Sequence, residues 1–174
     1  YKFDEYPVEF ASFSPDNKMI AMISPANICR IVDFNGKTIQ DFRWKYDYSW
    51  NVHVGSWWPR KLLLDSLGNE IKYDTWHKSY INSASFSRDR KYIITASDDS
   101  TAKVWDLQGN EIFCLKGHKN KVIDATFSSD GEKIVTATID NSVRIWSNKG
   151  ILLKEIAGPK EFLRYAIISS DNKK

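Results

Sequence analysis

One interval governs what this chain can fold into: from Phe86 onward, the same frame of turns and apolar residues returns every 41 residues. Phe86-Ser87-Arg88-Asp89, Phe127-Ser128-Ser129-Asp130 and Ile168-Ser169-Ser170-Asp171 keep that spacing, and Phe13-Ser14-Pro15-Asp16 is an earlier copy. A second marker sets a glycine three residues after an Asp or Ser: Asp33 and Gly36, Asp65 and Gly68, Asp106 and Gly109, Ser147 and Gly150. Self-similarity at such a period means an array of small units, none of which can bury its apolar face alone.

Within a unit the pattern is one of short strands and tight turns. Ile123, Ala125 and Phe127 alternate with polar or small residues, as do Val143 and Ile145, which is the period of a strand with one buried face. Turn signals at Asp99-Ser100, Gly109-Asn110, Asp130-Gly131 and Asp140-Asn141 separate these segments. Four strands fit between successive markers, so each unit is expected to be a four-stranded antiparallel meander. The units fall at about 1–44, 45–75, 76–116, 117–157 and 158–174. The first is degenerate, with Val32 where the third has Trp105. The second is short, because Gly36 and Gly68 are only 32 residues apart, and the last is partial. The fold class is all-β, about four such units plus the start of a fifth, and the chain is expected to be a piece of a longer array.

Composition narrows the function less than the repeat does. Twenty-five basic against 22 acidic side chains leave a net charge of +3, too small to announce a nucleic-acid or membrane surface. No apolar run approaches the roughly 18–20 residues that span a bilayer, and no signal-like opening is visible, so a soluble, cytoplasmic chain is expected. Cys29 and Cys114 lack metal-ligand spacing and read as reduced thiols of a cytosolic protein.

The Trp105-Asp106 pair, the Gly117-His118 pair and the 41-residue period resemble WD40 repeats, the family of β-propellers built from four-stranded blades. That resemblance implies a buried hydrogen-bonded tetrad per blade: His before the first strand, Ser or Thr on the second, Asp in the next turn and Trp on the third. Spacing to the Trp assigns His77, Thr95, Asp99 and Trp105 in the third unit, and His118, Thr136, Asp140 and Trp146 in the fourth. The first unit has Met22 and Ala26 at the corresponding places and is expected to rely on apolar packing. The wording W-D-L-Q-G-N-E followed by G-H-K is similar to bacterial multi-repeat arrays, which often form the C-terminal sensor of large signalling ATPases.

Catalytic signals are weak. Gly36-Lys37-Thr38 echoes the end of a P-loop, but Ile31 stands at the first glycine position and no helix follows. Asp98 and Asp99 are adjacent and make a poor acid/base pair. The chain has three histidines, two of them claimed by the tetrads, so neither a catalytic triad nor a His-rich metal site can be assembled. No cofactor is expected.

Recognition remains: a protein-interaction scaffold or sensor module, with another protein as partner. Resemblance to a propeller places Lys78, Tyr80, Asn82 and Asp98 of one blade on a rim with Lys119, Lys121, Asp124 and Ile139 of the next. A second patch gathers Trp44, Tyr46, Tyr48, Trp50, Trp57 and Trp58, either as space-filling rings or as a partner surface. With Arg43, Lys45, Arg60 and Lys61 alongside, region 43–61 could instead bind a ligand or stack the bases of a single-stranded nucleic acid.

Overall fold

A computed structural model describes residues 7–24, 28–43, 63–64, 70–71, 77–158 and 165–169. These form strands and turns, with no helix among the described residues. The first sheet holds β1 (Phe10–Phe13), β2 (Met19–Ser24), β3 (Ile28–Asp33) and β4 (Thr38–Arg43). Leu63–Leu64 (β5) and Glu70–Ile71 (β6) make a two-stranded ladder. The second four-stranded sheet holds β7 (Ile81–Phe86), β8 (Tyr92–Ser97), β9 (Ala102–Asp106) and β10 (Glu111–Leu115). The third holds β11 (Val122–Phe127), β12 (Lys133–Thr138), β13 (Ser142–Ser147) and β14 (Leu152–Ala157). Each sheet is an antiparallel meander in chain order. Of the partial last unit, residue 158 and residues 165–169 are described and are not in a strand.

The sequence markers owe their spacing to turn chemistry. Between β7 and β8, the Ser87 hydroxyl donates to Asp89 at 2.6 Å and accepts from the Tyr92 N–H at 3.0 Å. Ser14 with Asp16 and Met19, and Ser128 with Asp130 and Lys133, repeat the arrangement. Short polar side chains thereby satisfy backbone donors that the turn leaves unpaired. The Asp-x-x-Gly marker works similarly: Asp106 Oδ1 accepts from the Gln108 and Asn110 N–H groups, and Gly109 takes the left-handed φ of 90° that closes the hairpin.

Apolar packing joins the sheets face to face. Ala21, Ile23, Cys29 and Ile31 of the first sheet meet Ile81, Ala84, Phe86, Ile93 and Trp105 of the second. On the other side of the second sheet, Ile94, Ala96, Ala102 and Val104 meet Val122, Ala125, Ile134 and Trp146 of the third. The same repeat positions make both interfaces, so one interface is used twice. Each buried aliphatic side chain in it contributes about 1.5–3 kcal/mol relative to exposure. The first and second four-stranded sheets are thus in direct contact, although repeat spacing puts a unit at 45–75 between them. Three four-stranded sheets, rather than four, stand among the described residues. In the first sheet Met22, at the place of Thr95 and Thr136, forms a buried apolar cluster with Val32 and Ile20.

Two strand faces differ from the simple alternation. In β11 the register jumps from Val122↔Thr138 to Asp124↔Ala137, so Ile123 is an extra, bulged residue. Val122 and Ala125 are buried as a result, while Ile123 and Phe127 are half-buried. In β13, Arg144 and Trp146 are the buried pair and Val143 and Ile145 are half-buried. A sheet inside a stack packs on both faces, so an apolar period of two does not say which face lies deeper.

Candidate functional site

In the second sheet a chain of hydrogen bonds runs through the core. The Trp105 indole Nε1–H donates to Thr95 Oγ1 at 2.8 Å, Thr95 lies 2.7 Å from His77 Nε2, and His77 Nδ1 lies 3.0 Å from Asp99 Oδ2. Its direction is fixed at both ends. Indole can only donate and an ionised carboxylate can only accept, so the neutral imidazole carries its proton on Nδ1 and takes the Thr95 hydroxyl proton on Nε2. Asp99 also accepts from the Lys78 N–H at 2.8 Å, the Thr101 N–H at 2.9 Å and the Thr101 hydroxyl at 2.5 Å. His77, Thr95 and Trp105 are each 1% exposed. Burial holds the His77 pKa below its ordinary value against the pull of Asp99. For Asp99, burial raises the pKa, but the bonds from His77, Thr101 and Lys78 outweigh it and hold the carboxyl far below the usual carboxylate range.

The third sheet repeats the inner part of this relay. Trp146 Nε1–H donates to Thr136 at 3.0 Å, and Thr136 lies 2.8 Å from His118 Nε2. The outer end differs: His118 Nδ1 meets the backbone carbonyl of Ser100, in the β8–β9 turn of the neighbouring sheet, at 3.2 Å. Asp140 is therefore not part of a closed tetrad. Asn120 stands where the earlier repeat has Ser79, and its amide donates to Asp140 Oδ2 at 2.7 Å while the Thr138 hydroxyl donates to Oδ1 at 2.5 Å. Those bonds, Thr138 first, hold Asp140 well below the usual range and turn it toward the surface. Burial, with the Arg144 cation adding to it, lowers the His118 pKa to about 4. The left-handed φ of 98° at Gly117 sets the loop that delivers His118.

The proposed rim residues divide into two groups. Asn82 donates its amide to Asp98 at 2.8 Å and to the Val122 carbonyl at 2.9 Å, and Lys121 forms a very short ion pair with Asp98. The Asp98 N–H bonds the Tyr80 carbonyl at 2.9 Å, and the Ile139 N–H bonds the Lys121 carbonyl at 3.0 Å. A continuous ladder thus joins Tyr80 to Ile139 across two sheets. Lys78, Tyr80, Lys119, Lys121 and Ile139 are exposed. Asn82 and Asp98 are fasteners beneath them. Asp124 does not belong to the rim surface: it is half-buried, its Oδ2 accepts from the Ala166 N–H at 3.2 Å, and burial raises its pKa against a bond from Ser83. The equivalent Ser83 accepts from the Ala125 N–H at 3.1 Å, so this position ties each unit to the next.

Trp44, Tyr46, Tyr48, Trp50, Trp57 and Trp58, with Lys45, Arg60 and Lys61, lie outside the described residues. Asp98 and Asp99 hold separate partners and do not act as a carboxylate pair. Among the described residues no group of His, Cys, Asp and Glu side chains is placed to hold a metal ion. A groove of about 540 Å³ that sequence reasoning missed lies at the β7–β8 and β11–β12 turns. Tyr92, Phe113 and Phe127 floor it, while Asp89, Asp130 and Lys149 mix charges around it. Two copies of the Phe-Ser-x-Asp marker, 41 residues apart, contribute Ser87, Asp89, Phe127 and Asp130 to it, but nothing in the marker signals a groove.

The family described as WD domain, G-beta repeat matches residues 68–106 and 109–147. Over 97 residues the chain is 33% identical to Protein hir1 of Aspergillus terreus (strain NIH 2624 / FGSC A1156), a match that takes in 53% of this chain and 10% of that protein. The crystal structure of RRP9 WD40 repeats shares the fold with a TM-score of 0.70 at 13% identity, over 95% of this chain and 44% of that one. The chain thus spans a tenth of hir1 and under half of RRP9. Residues 68–106 and 109–147 thus match WD40 repeats, each holding one relay, and the fold over nearly the whole chain is shared with a WD40-repeat structure.

Proposed function

We propose that the chain is a non-enzymatic interaction module that presents its loop rim to another protein. The observation that carries this reading is the division of labour in the two matched repeats. Histidine, threonine and tryptophan are spent on buried relays, and the ladder from Tyr80 to Ile139 ties down the backbone that carries the exposed side chains over two sheets. Preorganised contact groups lower the entropy cost of binding. WD40 repeats form a family that typically serves as protein-interaction scaffolds and is generally non-enzymatic, which is consistent with this use. The module acts either as the sensor part of a longer signalling protein or as a free-standing scaffold in the cytoplasm. Thiols at Cys29 and Cys114, rather than a disulfide, agree with a reducing compartment.

The test is quantitative affinity capture with the native chain and with a variant in which Lys78, Tyr80, Lys119 and Lys121 are all alanine. The expected result is loss of a specific, saturable partner from the variant at unchanged melting temperature. Equal retention of every partner by both proteins sinks the rim assignment.

A further inference from the structure

The rim sorts its charges by depth. Its carboxylates are short and turned inward: the Asp98 side chain is 15% exposed and that of Asp99 is 9% exposed, each occupied by donors from the protein. Its ammonium groups are long and stand outward. The Lys121 side chain is 53% exposed even while paired with Asp98, and Lys78 and Lys119 occupy the same place in successive repeats, directly after the relay histidines. Asp140 is the exposed exception, and Asn120, Thr138 and Ser142 already donate to it. An approaching surface therefore meets cations first. The same ladder carries two large exposed apolar side chains, Tyr80 at 55% and Ile139 at 48% exposure, tied through backbone bonds to Asp98 and Lys121. Aromatic anchors flanked by charge that steers the encounter are the ingredients of a specific docking site.

We propose that the rim formed by Lys78, Tyr80, Lys119, Lys121 and Ile139 binds an acidic segment of a partner protein in which carboxylates flank a large apolar side chain. This rests on the reading of the rim as the docking surface and adds the chemistry of what docks. The apolar side chain packs on Tyr80 or Ile139, and the carboxylates meet Lys78, Lys119 and Lys121. Exposed ion pairs are screened by salt, so the affinity falls as ionic strength rises.

A random-peptide phage library selected against the whole chain tests both layers. The enriched peptide is synthesised, its affinity is measured by fluorescence anisotropy, and its footprint is mapped by amide NMR. The expected consensus carries at least two Asp or Glu residues around one large apolar residue and shifts the amides of Lys78, Tyr80, Lys119 and Ile139. Lys119→Glu then weakens it at least tenfold without changing the melting temperature, as does Tyr80→Ala. A peptide that maps to the rim but lacks acidic residues, or is indifferent to Lys119→Glu, overturns the acidic partner and leaves the docking surface standing. Peptides that map elsewhere, or no enrichment, overturn both.

Discussion

Replacing Thr95 by Val exchanges a hydroxyl for a methyl group of nearly the same shape at the centre of the first relay. Two groups lose their partner at once: the Trp105 indole N–H, 2.8 Å away, and the His77 Nε2 acceptor, 2.7 Å away. With both residues 1% exposed, water has no access to replace the oxygen. Each buried polar group left unpaired costs about 1–3 kcal/mol, and the added methyl returns about 0.8 kcal/mol at most. The net loss is therefore about 3 kcal/mol, a fall of about 6–12 °C in melting temperature for a chain of this size. Urea titration followed by circular dichroism reads the loss as a lower midpoint at unchanged slope. A cycle with Trp105→Phe separates mechanism from packing, because Phe removes the stranded donor. In the Thr95→Val background that second change costs about 1–2 kcal/mol less than in the native chain. If Thr95→Val costs under about 1 kcal/mol, or the two changes add within about 0.5 kcal/mol, the relay does not fasten the sheet as described.

The two aspartates at the relay ends should respond unequally. Asp99→Ala strands the Lys78 and Thr101 N–H groups and leaves His77 Nδ1–H only the longer contact to Thr101 Oγ1 at 3.2 Å, and should cost about 2–3 kcal/mol in chemical denaturation, whereas Asp140→Ala, exposed and not bonded to His118, costs about 1 kcal/mol or less. Stability should also fall with acid in two windows. Both relay histidines have folded pKa values below the unfolded value of about 6.5, so the unfolded chain binds protons first and stability drops as pH falls from about 6.5 toward the His118 value of about 4. Asp99 and Asp140, also depressed, withdraw their contributions below about pH 4, and a melting temperature flat from pH 7 to 4.5 would contradict this. Gly158→Ala should destabilise by about 1–3 kcal/mol, since its new Cβ would lie 2.0 Å from the Asn141 carbonyl oxygen, and a variant of native melting temperature would show that this approach can relax.

Much of the frame was legible because it is written in turn chemistry. Ser87-x-Asp89 and Asp106-x-x-Gly109 satisfy their own backbone donors locally, so their spacing survives in the sequence wherever the turn survives in the fold. The shared inner relay of His, Thr and Trp was readable for a related reason: Trp105 and Trp146 sit ten residues after the threonines they bond, on adjacent antiparallel strands. What lay beyond reach depended on single competing donors and on tertiary neighbours. Asn120 in place of Ser79 is a single difference, yet it engages Asp140, while His118 bonds a carbonyl of the preceding sheet. Asp124 looks like any loop carboxylate in the sequence, and only its bond to the Ala166 N–H, 42 residues on, shows it to be a link between units. The direct contact of the first two four-stranded sheets was hidden because it depends on how matching faces find each other, not on the order of the units.

The two relay histidines of the repeat frame are internal fasteners, which leaves the loops above them as the proposed place of function. Imidazole nitrogen NMR of the native chain, with His77 and His118 assigned by single substitution, tests it most directly. Both rings should appear as neutral Nδ1–H tautomers from pH 7.5 down to 5.5. A ring that titrates near pH 6.5, or that carries its proton on Nε2, would be available to solvent or ligand and would contradict the account.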